Sequence, residues 1–365
     1  MPLRVGIIGL PNVGKSTLLN ALARTGAAVA PYPFTTIDPN LGVVSVPDDR
    51  LAAIAAVTRP QRVVAATVEF VDIAGLVRGA HKGEGLGNQF LAQIREVDAV
   101  AHVVRLFDAP DVSGTEAGVD PVRDTEAVDT ELLLADLAVV DRLRERSIPR
   151  ARAGDREAKQ ELDAADRMRE ALQRGQPARE VERSPEEGAR TAGWHLLTGK
   201  PVVYVANVGE GVAPEDERLQ ALAVHAQARR AAVVAFNARW EAELAELEPA
   251  EAEQFRAAAG EGGEEPALAR FARATYALLG LVTFFSIASA EVRAWPVPRG
   301  TTAVEAAGRI HSDMAQGFIR AEVIDWATLV AAGDLARARE RGLLRLEGRG
   351  YQVQDGDVIT FRFAV

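Results

Sequence analysis

The chain has 365 residues, 48% of them hydrophobic and 26% charged, no cysteine, and a net charge of −10. Lack of cysteine excludes disulfides, thiolate zinc sites and cysteine nucleophiles, and no apolar run approaches the ~20 residues of a membrane-crossing helix. The N-terminus MPLRVGIIGL is too short in its apolar stretch for a secretory signal, so the expectation is a cytoplasmic protein of two or three domains with no membrane partner. The negative balance argues against indiscriminate wrapping of nucleic acid but is compatible with a local basic patch. His81, His102, His195, His225 and His311 are scattered without metal-ligand spacing.

Residues 3–8 form a short apolar run rich in β-branched side chains, followed by GLPNVGKST at 9–17 and a helix-like pattern from Leu18. Strand, glycine-rich loop and helix are the context a phosphate loop of the form G-x-x-x-x-G-K-[ST] requires. Gly9 and Gly14 let the backbone curl so that successive N–H groups face a β-phosphate, aided by the positive end of the helix. Lys15 would reach the β- and γ-phosphates, and the Ser16 hydroxyl would bind Mg²⁺.

Residues 30–40, APYPFTTIDPN, form a proline-rich loop before a β-like segment at 42–46. Nucleotide switches place a threonine in such a loop to sense the γ-phosphate, although two threonines there also suit an ordinary turn. A strand over 67–71 ends at Asp72 in DIAG. Asp72 would hold Mg²⁺ through water, and the Gly75 N–H would bond the γ-phosphate. Residues 77–88 carry four glycines, as a second switch would.

Apolar runs at 97–107 and 201–207 predict buried parallel strands. Between them, Leu132, Leu133, Leu137, Val140 and Leu143, then Leu162, Ala165, Met168 and Leu172, recur at helical spacing on either side of a break at 147–154 around Pro149. The pattern predicts an antiparallel, coiled-coil-like hairpin inserted over 129–197. Ser184, Pro185 and Glu187 cap a further helix running to Leu197. NVGE at 207–210, with Asn207, Val208 and Glu210, follows a strand where the base is read, and a strand over 231–236 leads to a second base-side loop at Asn237 and Ala238. Residues 244–274 are helical, with a break at 260–266. The C-terminal stretch 281–365 reads strand, strand, helix from Thr302 to Ile310, strand at 318–324, then 351–353 and 358–363, a β-grasp pattern. The fold class is therefore α/β. A P-loop domain with a mostly parallel sheet covers 1–128 and 198–277, with the hairpin inserted at 129–197 and a separate β-grasp domain at 281–365.

GLPNVGKST, PFTTIDPN at 33–40, FVDIAGLVRGAHKGEGLGNQFL at 70–91, ANVGE at 206–210 and AWPVPRGTTAVEAAGRIHSDMAQGFIRAEVI at 294–324 together resemble the YchF family, the Obg-like ribosome-binding ATPase branch of the translation-factor-related GTPases. The resemblance spans essentially the whole chain. It implies a C-terminal TGS domain, ribosome binding with ribosomal RNA as one candidate contact, phosphate binding by Asn12 through Val13 to Thr17, and Mg²⁺ held by Ser16 and Thr36, the latter preferred over Thr35. Many relatives have a histidine before the Val-Ser-Gly after the strand ending at Phe107; here Asp111 stands there.

Three further expectations concern chemistry. In the usual N-K-x-D loop, an aspartate reads guanine; Val208 and Glu210 replace its lysine and aspartate, which favours ATP, with GTP the alternative. Leu76, after the DIAG glycine, cannot hydrogen-bond water as a glutamine does there, so hydrolysis without a partner should be slow. The Asn12 side chain could help hold K⁺ between phosphates, or simply form a turn. Competing readings are a true GTPase, a nucleotide-gated docking protein with incidental hydrolysis and, more remotely, a kinase.

Overall fold

The computed structural model describes residues 3–27, 40–73, 86–108, 118–213, 215–259, 265–288 and 290–364. In chain order these form β1 (Leu3–Ile8), α1 (Lys15–Ala27), β2 (Leu41–Ser45), α2 (Asp49–Thr58), β3 (Arg62–Val64), β4 (Thr67–Asp72), α3 (Leu86–Glu96) and β5 (Ala99–Leu106). Next come α4 (Pro121–Arg152), α5 (Arg156–Gln173), α6 (Pro185–Ala192), β6 (Val202–Val208), α7 (Glu217–Ala228), β7 (Ala232–Phe236), α8 (Ala238–Leu244), α9 (Pro249–Ala258) and α10 (Ala267–Leu278). The remainder is β8 (Leu281–Ala288), β9 (Glu291–Pro298), α11 (Ala303–Ile310), α12 (Ser312–Gln316), β10 (Phe318–Asp325), α13 (Trp326–Ala332), α14 (Leu335–Glu340), β11 (Arg345–Glu347) and β12 (Asp357–Phe363). None of the described helices is long and apolar enough to cross a membrane.

The chain divides into two units, Met1–Val44 with Glu69–Thr275 and Ser45–Val68 with Tyr276–Val365. In the first, a six-stranded sheet runs β2-β4-β1-β5-β6-β7, with β1, β5, β6 and β7 parallel in that order. Every residue of β5 is buried, because the strand lies mid-sheet with both faces covered. One face packs Val100, Val104 and Leu106 against Val128, Leu132 and Ala135 of α4 and Leu222 of α7. Strand order reverses at β1, and it is at such a switch point that open α/β sheets bind ligands, beyond the carboxyl ends of the strands.

The arm predicted between the strands is a long helix, α4, antiparallel to α5. At 1.5 Å per residue α4 spans about 48 Å. Its apolar residues serve two partners: Leu132 faces the sheet, whereas Val140, with Leu133, Leu137 and Leu143, packs on Ala165, Met168 and Leu172 of α5. Two boundaries differ from the sequence reading. The helix begins at Pro121, N-capped by Asp120, and it continues through Pro149 to Arg152, with the turn at 153–155. Proline lacks only one N–H, and the last turn is secured nearby by the buried Ser147 hydroxyl, which donates to Glu161 Oε2 at 2.6 Å. At the arm's root, buried Asp136 accepts Leu197 N, Thr198 N and Thr198 Oγ1 at 2.8, 2.8 and 2.6 Å. Nearby, the Tyr204 hydroxyl donates to Asp129 Oδ2 at 3.3 Å. Burial pushes His102, alongside Tyr204, down to about 4, so its imidazole is neutral near pH 7. Helix α6 stops at Gly193 rather than reaching Leu197.

In the second unit the sheet order is β11-β10-β12-β8-β9-β3. The β8–β9 hairpin is antiparallel, β12 runs parallel to β8 and antiparallel to β10, and α11 lies over a core containing Phe284, Val297, Ala307, Val323 and Phe361. This is the β-grasp order. The Thr302–Glu305 capping box that starts α11 is present.

Three features correct the sequence reading of this unit. Residues 45–68 cluster here, not with the first unit: β3 pairs with β9, and Arg50 binds Asp355 Oδ2 at 2.8 Å while its guanidinium lies 5.5 Å from the Phe285 ring centroid. Second, residues 351–353 make only an isolated bridge between Gln352 and Thr302, because their backbone partners are the short segment leading into α11, with Ala303 N donating to Tyr351 O at 2.7 Å and Val353 N to Thr301 O at 3.0 Å; the edge strand is β11 instead. Third, α13 and α14 intervene after β10, N-capped by Asp325 and Asp334.

Candidate nucleotide site

Strand β1 delivers Gly9 to the carboxyl edge of the sheet. Gly9 has φ +149°, and a Cβ there would lie 2.4 Å from the Val103 carbonyl oxygen on β5, so the loop can leave the strand only through glycine. Asn12 turns the loop with φ +61°, a left-handed conformation that asparagine tolerates, and its side chain is exposed. Gly14 has φ +98°, and a Cβ there would stand 2.2 Å from Asn207 Nδ2. The Leu18 N–H then donates to Gly14 O at 2.9 Å, opening α1.

Lys15 is only 9% exposed, and its ammonium donates back to Gly9 O at 3.2 Å and Leu10 O at 2.9 Å. Burial lowers its pKa, and the Asp72 carboxylate raises it. It is a buried cation with loop carbonyls as partners, poised for an anion. Ser16 Oγ donates to Asp72 Oδ2 at 2.9 Å, while Asp72 Oδ1 is buried with no hydrogen-bond partner among the described residues. Asp72 is itself set by backbone bonds on both sides, Asp72 N to Asn40 O at 3.0 Å just before β2 and Ile73 N to Ile7 O at 3.1 Å on β1.

A hydroxyl and a carboxylate in contact, with one carboxylate oxygen unpartnered, are hard oxygen donors suited to Mg²⁺. Ser16 and Asp72 therefore fit the metal role assigned from the sequence. Thr36 and Gly75 lie outside the described residues, as do Leu76 and Asp111.

On the base side the structure gives Asn207 a role that its motif position did not announce. Asn207 is 5% exposed; its Nδ2 donates to Val13 O at 2.9 Å, and its Oδ1 accepts the Ala238 N–H at 3.0 Å. The amide thus brackets the phosphate loop to the loop after β7, leaving one N–H unused by these bonds. Asn237 N-caps α8, its side chain accepting Trp240 N at 3.0 Å, so it too is committed to the backbone. Ala238 is buried and presents its N–H to the bracket. Val208 is half-buried against the sheet core, Glu210 is exposed on the turn that follows, and Thr17 is half-buried on the first turn of α1.

Sequence reasoning passed over Arg105 and Phe107. Arg105 pairs in register with Asn207, is 6% exposed, and holds its guanidinium 6.0 Å from the Phe107 ring centroid, with Nη1 lacking a partner among the described residues. A Cβ on Gly209 would meet Phe107 Cβ at 3.3 Å, so the start of the Phe107 side chain lies against the base-side turn. The available signal was an arginine inside the apolar run AHVVRLF.

A family model described as a 50S ribosome-binding GTPase matches residues 4–141, and the YchF-GTPase_C model, described as a protein of unknown function, matches 281–364. The chain is 46% identical over 368 residues to "Ribosome-binding ATPase YchF" of Bacillus subtilis and 48% identical over 365 residues to that of Haemophilus ducreyi, in each case covering 100% of both chains. The chain belongs to the YchF family. The Schizosaccharomyces pombe YchF GTPase superposes with TM-score 0.88 at 30% identity, covering 99% of this chain and 97% of that one. A GTP binding protein from Pyrococcus horikoshii, at TM-score 0.61 and 19% identity over 99% of this chain and 100% of that one, shares the fold. The YchF relatives match from end to end, so the phosphate loop, the arm and the β-grasp unit all fall within the family's span.

Proposed function

We propose that the chain is a cytoplasmic ATPase that binds the ribosome, with ATP seated on the phosphate loop and Mg²⁺ held by Ser16, by Asp72 through water, and by Thr36. Such an ion would draw off negative charge that builds on the phosphate oxygens during transfer. Lys15 exchanges its carbonyl partners for the β- and γ-phosphates, the loop N–H groups from Asn12 to Thr17 cradle the β-phosphate, and the Gly75 N–H meets the γ-phosphate. Hydrolysis is slow without a partner, since Leu76 offers nothing to orient water.

The observation that carries the choice of ATP is the exposed Glu210 beside half-buried Val208. Guanine recognition needs a carboxylate placed against N1–H and the 2-amino group, with a lysine stem over the ring. Here the longer glutamate moves the carboxylate, and valine turns into the core instead. Without that clamp the main barrier to adenine is gone. Relatives named as GTPase or GTP-binding supply the second reading, a GTP-specific enzyme of the same fold. Titration with fluorescent ATP and GTP analogues, checked by unlabelled competition, is expected to show ATP bound at least as tightly as GTP. GTP bound tenfold tighter would establish the second reading.

The exposed Asn12, turning the loop at positive φ, also motivates a cation test. Its side-chain oxygen can share a K⁺ with the phosphates, adding positive charge where other enzymes insert an arginine. Hydrolysis is expected to run several-fold faster in KCl than in NaCl at matched ionic strength. Equal rates would leave Asn12 as a turn residue alone.

A further inference from the structure

The free end of the α4–α5 arm carries charge that the nucleotide chemistry does not use. Between residues 142 and 160 stand seven arginine and lysine side chains against three carboxylates, in a chain whose net charge is −10. Arg142, Arg146 and Arg150 recur every fourth residue and so share one face of α4, about 6 Å apart along its axis. Arg146 and Arg150, 63% and 51% exposed, join Arg190 of α6 in lining a cavity of about 290 Å³, its other wall being α5 from Glu157 to Glu161.

These arginines are held in place without being used up. Arg146 Nη2 donates to Glu161 Oε1 at 3.2 Å, Arg150 donates from Nε and Nη2 to Asp155 Oδ2 at 3.0 and 2.6 Å, and Arg190 Nη2 donates to Gln160 Oε1 at 2.8 Å. A guanidinium has five N–H donors, and these bonds occupy one or two of each. Compensation of the α4 dipole accounts for Arg150 and Arg152 in its last turn. Arg190 likewise stands in the last turn of α6, but the dipole does not account for Arg142 and Arg146 further back on α4.

The cavity's chemistry selects the partner. Only one of its seven lining residues, Ala158, is apolar, so it offers no pocket for the buried aromatic or aliphatic anchor of a protein interface. Fixed guanidinium forks suit phosphate oxygens. We propose that the end of the arm docks on the phosphate backbone of ribosomal RNA, with Arg142, Arg146, Arg150 and Arg190 meeting phosphates and reading no bases. This rests on the ribosome-binding reading above and specifies which part of the chain makes that contact.

The test uses the full chain with R142Q, R146Q, R150Q and R190Q combined, and a second variant with lysine at the same four positions. Ribosome co-sedimentation is measured over a salt series. Each phosphate contact adds about 0.7–0.9 to the slope of log affinity against log salt, so the glutamine variant, which lacks four such contacts, should bind about tenfold or more weakly at low salt, with the slope flattened by about three. The lysine variant should keep most of the slope. A photoreactive side chain at position 146 should transfer to ribosomal RNA. Unchanged affinity and slope in the glutamine variant, or transfer to ribosomal proteins alone, would overturn the proposal. Should the wild-type chain not sediment with ribosomes, the broader reading falls; anisotropy titration with protein-free ribosomal RNA then decides the arm separately, and equal binding by wild-type and glutamine variants overturns it.

Discussion

Methionine in place of Lys15 is expected to abolish measurable ATP binding and hydrolysis while leaving the empty protein about as stable as wild type. The two halves have separate causes. Binding is lost because the ammonium is the group that reaches the β- and γ-phosphates, and no other cation among the described residues touches the loop carbonyls Gly9 O and Leu10 O where it waits. Stability is nearly kept because two opposing effects go together. The substitution removes two charge-assisted hydrogen bonds, worth about 1.5–3 kcal/mol each, but also removes an ammonium whose burial is disfavoured enough to lower its pKa. Methionine, unbranched and apolar, fills the same channel. Calorimetry or thermal melts should show it: wild type gains about 2.7 kcal/mol at an ATP concentration of 100 Kd, and the variant gains nothing. The lowered pKa gives a second signature. Between the folded and unfolded pKa the unfolded chain binds more protons, so this group's penalty is fully present near neutral pH and is relieved as pH rises through the folded value. Wild type should therefore gain ground on the methionine variant at alkaline pH. A methionine variant that still melts several degrees higher with ATP would remove Lys15 from the phosphate contact.

What could be read from the sequence was whatever local sterics or burial forced. Gly9 and Gly14 occupy positions where a Cβ would strike the Val103 carbonyl or the Asn207 amide, so the loop motif is a direct record of its geometry. Strand β5 is buried on both faces and therefore reads as an unbroken apolar run. Affiliations across long separations were not legible. Residues 45–68 look like part of the unit that surrounds them, yet they are held by Arg50 to Asp355 and by β3 to β9, partners that lie more than 200 residues away. Pro149 signals a break locally, but the tertiary contact of Ser147 with Glu161 and the packing of α5 carry the helix past it. Asp325 and Asp334 are good caps, and Gly333 at φ +90° separates the two short helices they start, yet both elements are too short for periodicity to reveal. In the site, motif position suggested what Asn207 and Asn237 stand near. It could not tell that both side chains are spent on backbone groups.

That difference decides what Asn207→Ala should do. The Asn207 amide ties Val13 O, inside the phosphate loop, to Ala238 N, at the head of α8, through bonds of 2.9 and 3.0 Å at a site only 5% exposed. Truncation leaves a buried carbonyl and a buried N–H without partners, each costing about 1–3 kcal/mol. It also opens space beside Gly14, whose missing Cβ is the room the amide occupies. The loop would then lose its anchor on the side opposite Lys15, and its N–H groups would no longer be held converging on the phosphate. The expected result is a folded-state loss of about 2–4 kcal/mol together with a fall in ATP affinity on the order of 100-fold, and a comparable fall for inorganic tripolyphosphate. A residue that acted only by bonding the purine would behave otherwise, weakening ATP and leaving both tripolyphosphate affinity and the melting temperature of the empty protein where they were. Aspartate at the same position should be no rescue, because it keeps an acceptor for Ala238 N but sets a second oxygen against Val13 O. Gly14→Ala should reproduce the loss from the other side, since its Cβ would lie 2.2 Å from Asn207 Nδ2. Isothermal titration with ATP and tripolyphosphate, alongside melts of the empty proteins, separates the two roles: unchanged tripolyphosphate binding and melting in Asn207→Ala would return Asn207 to the base.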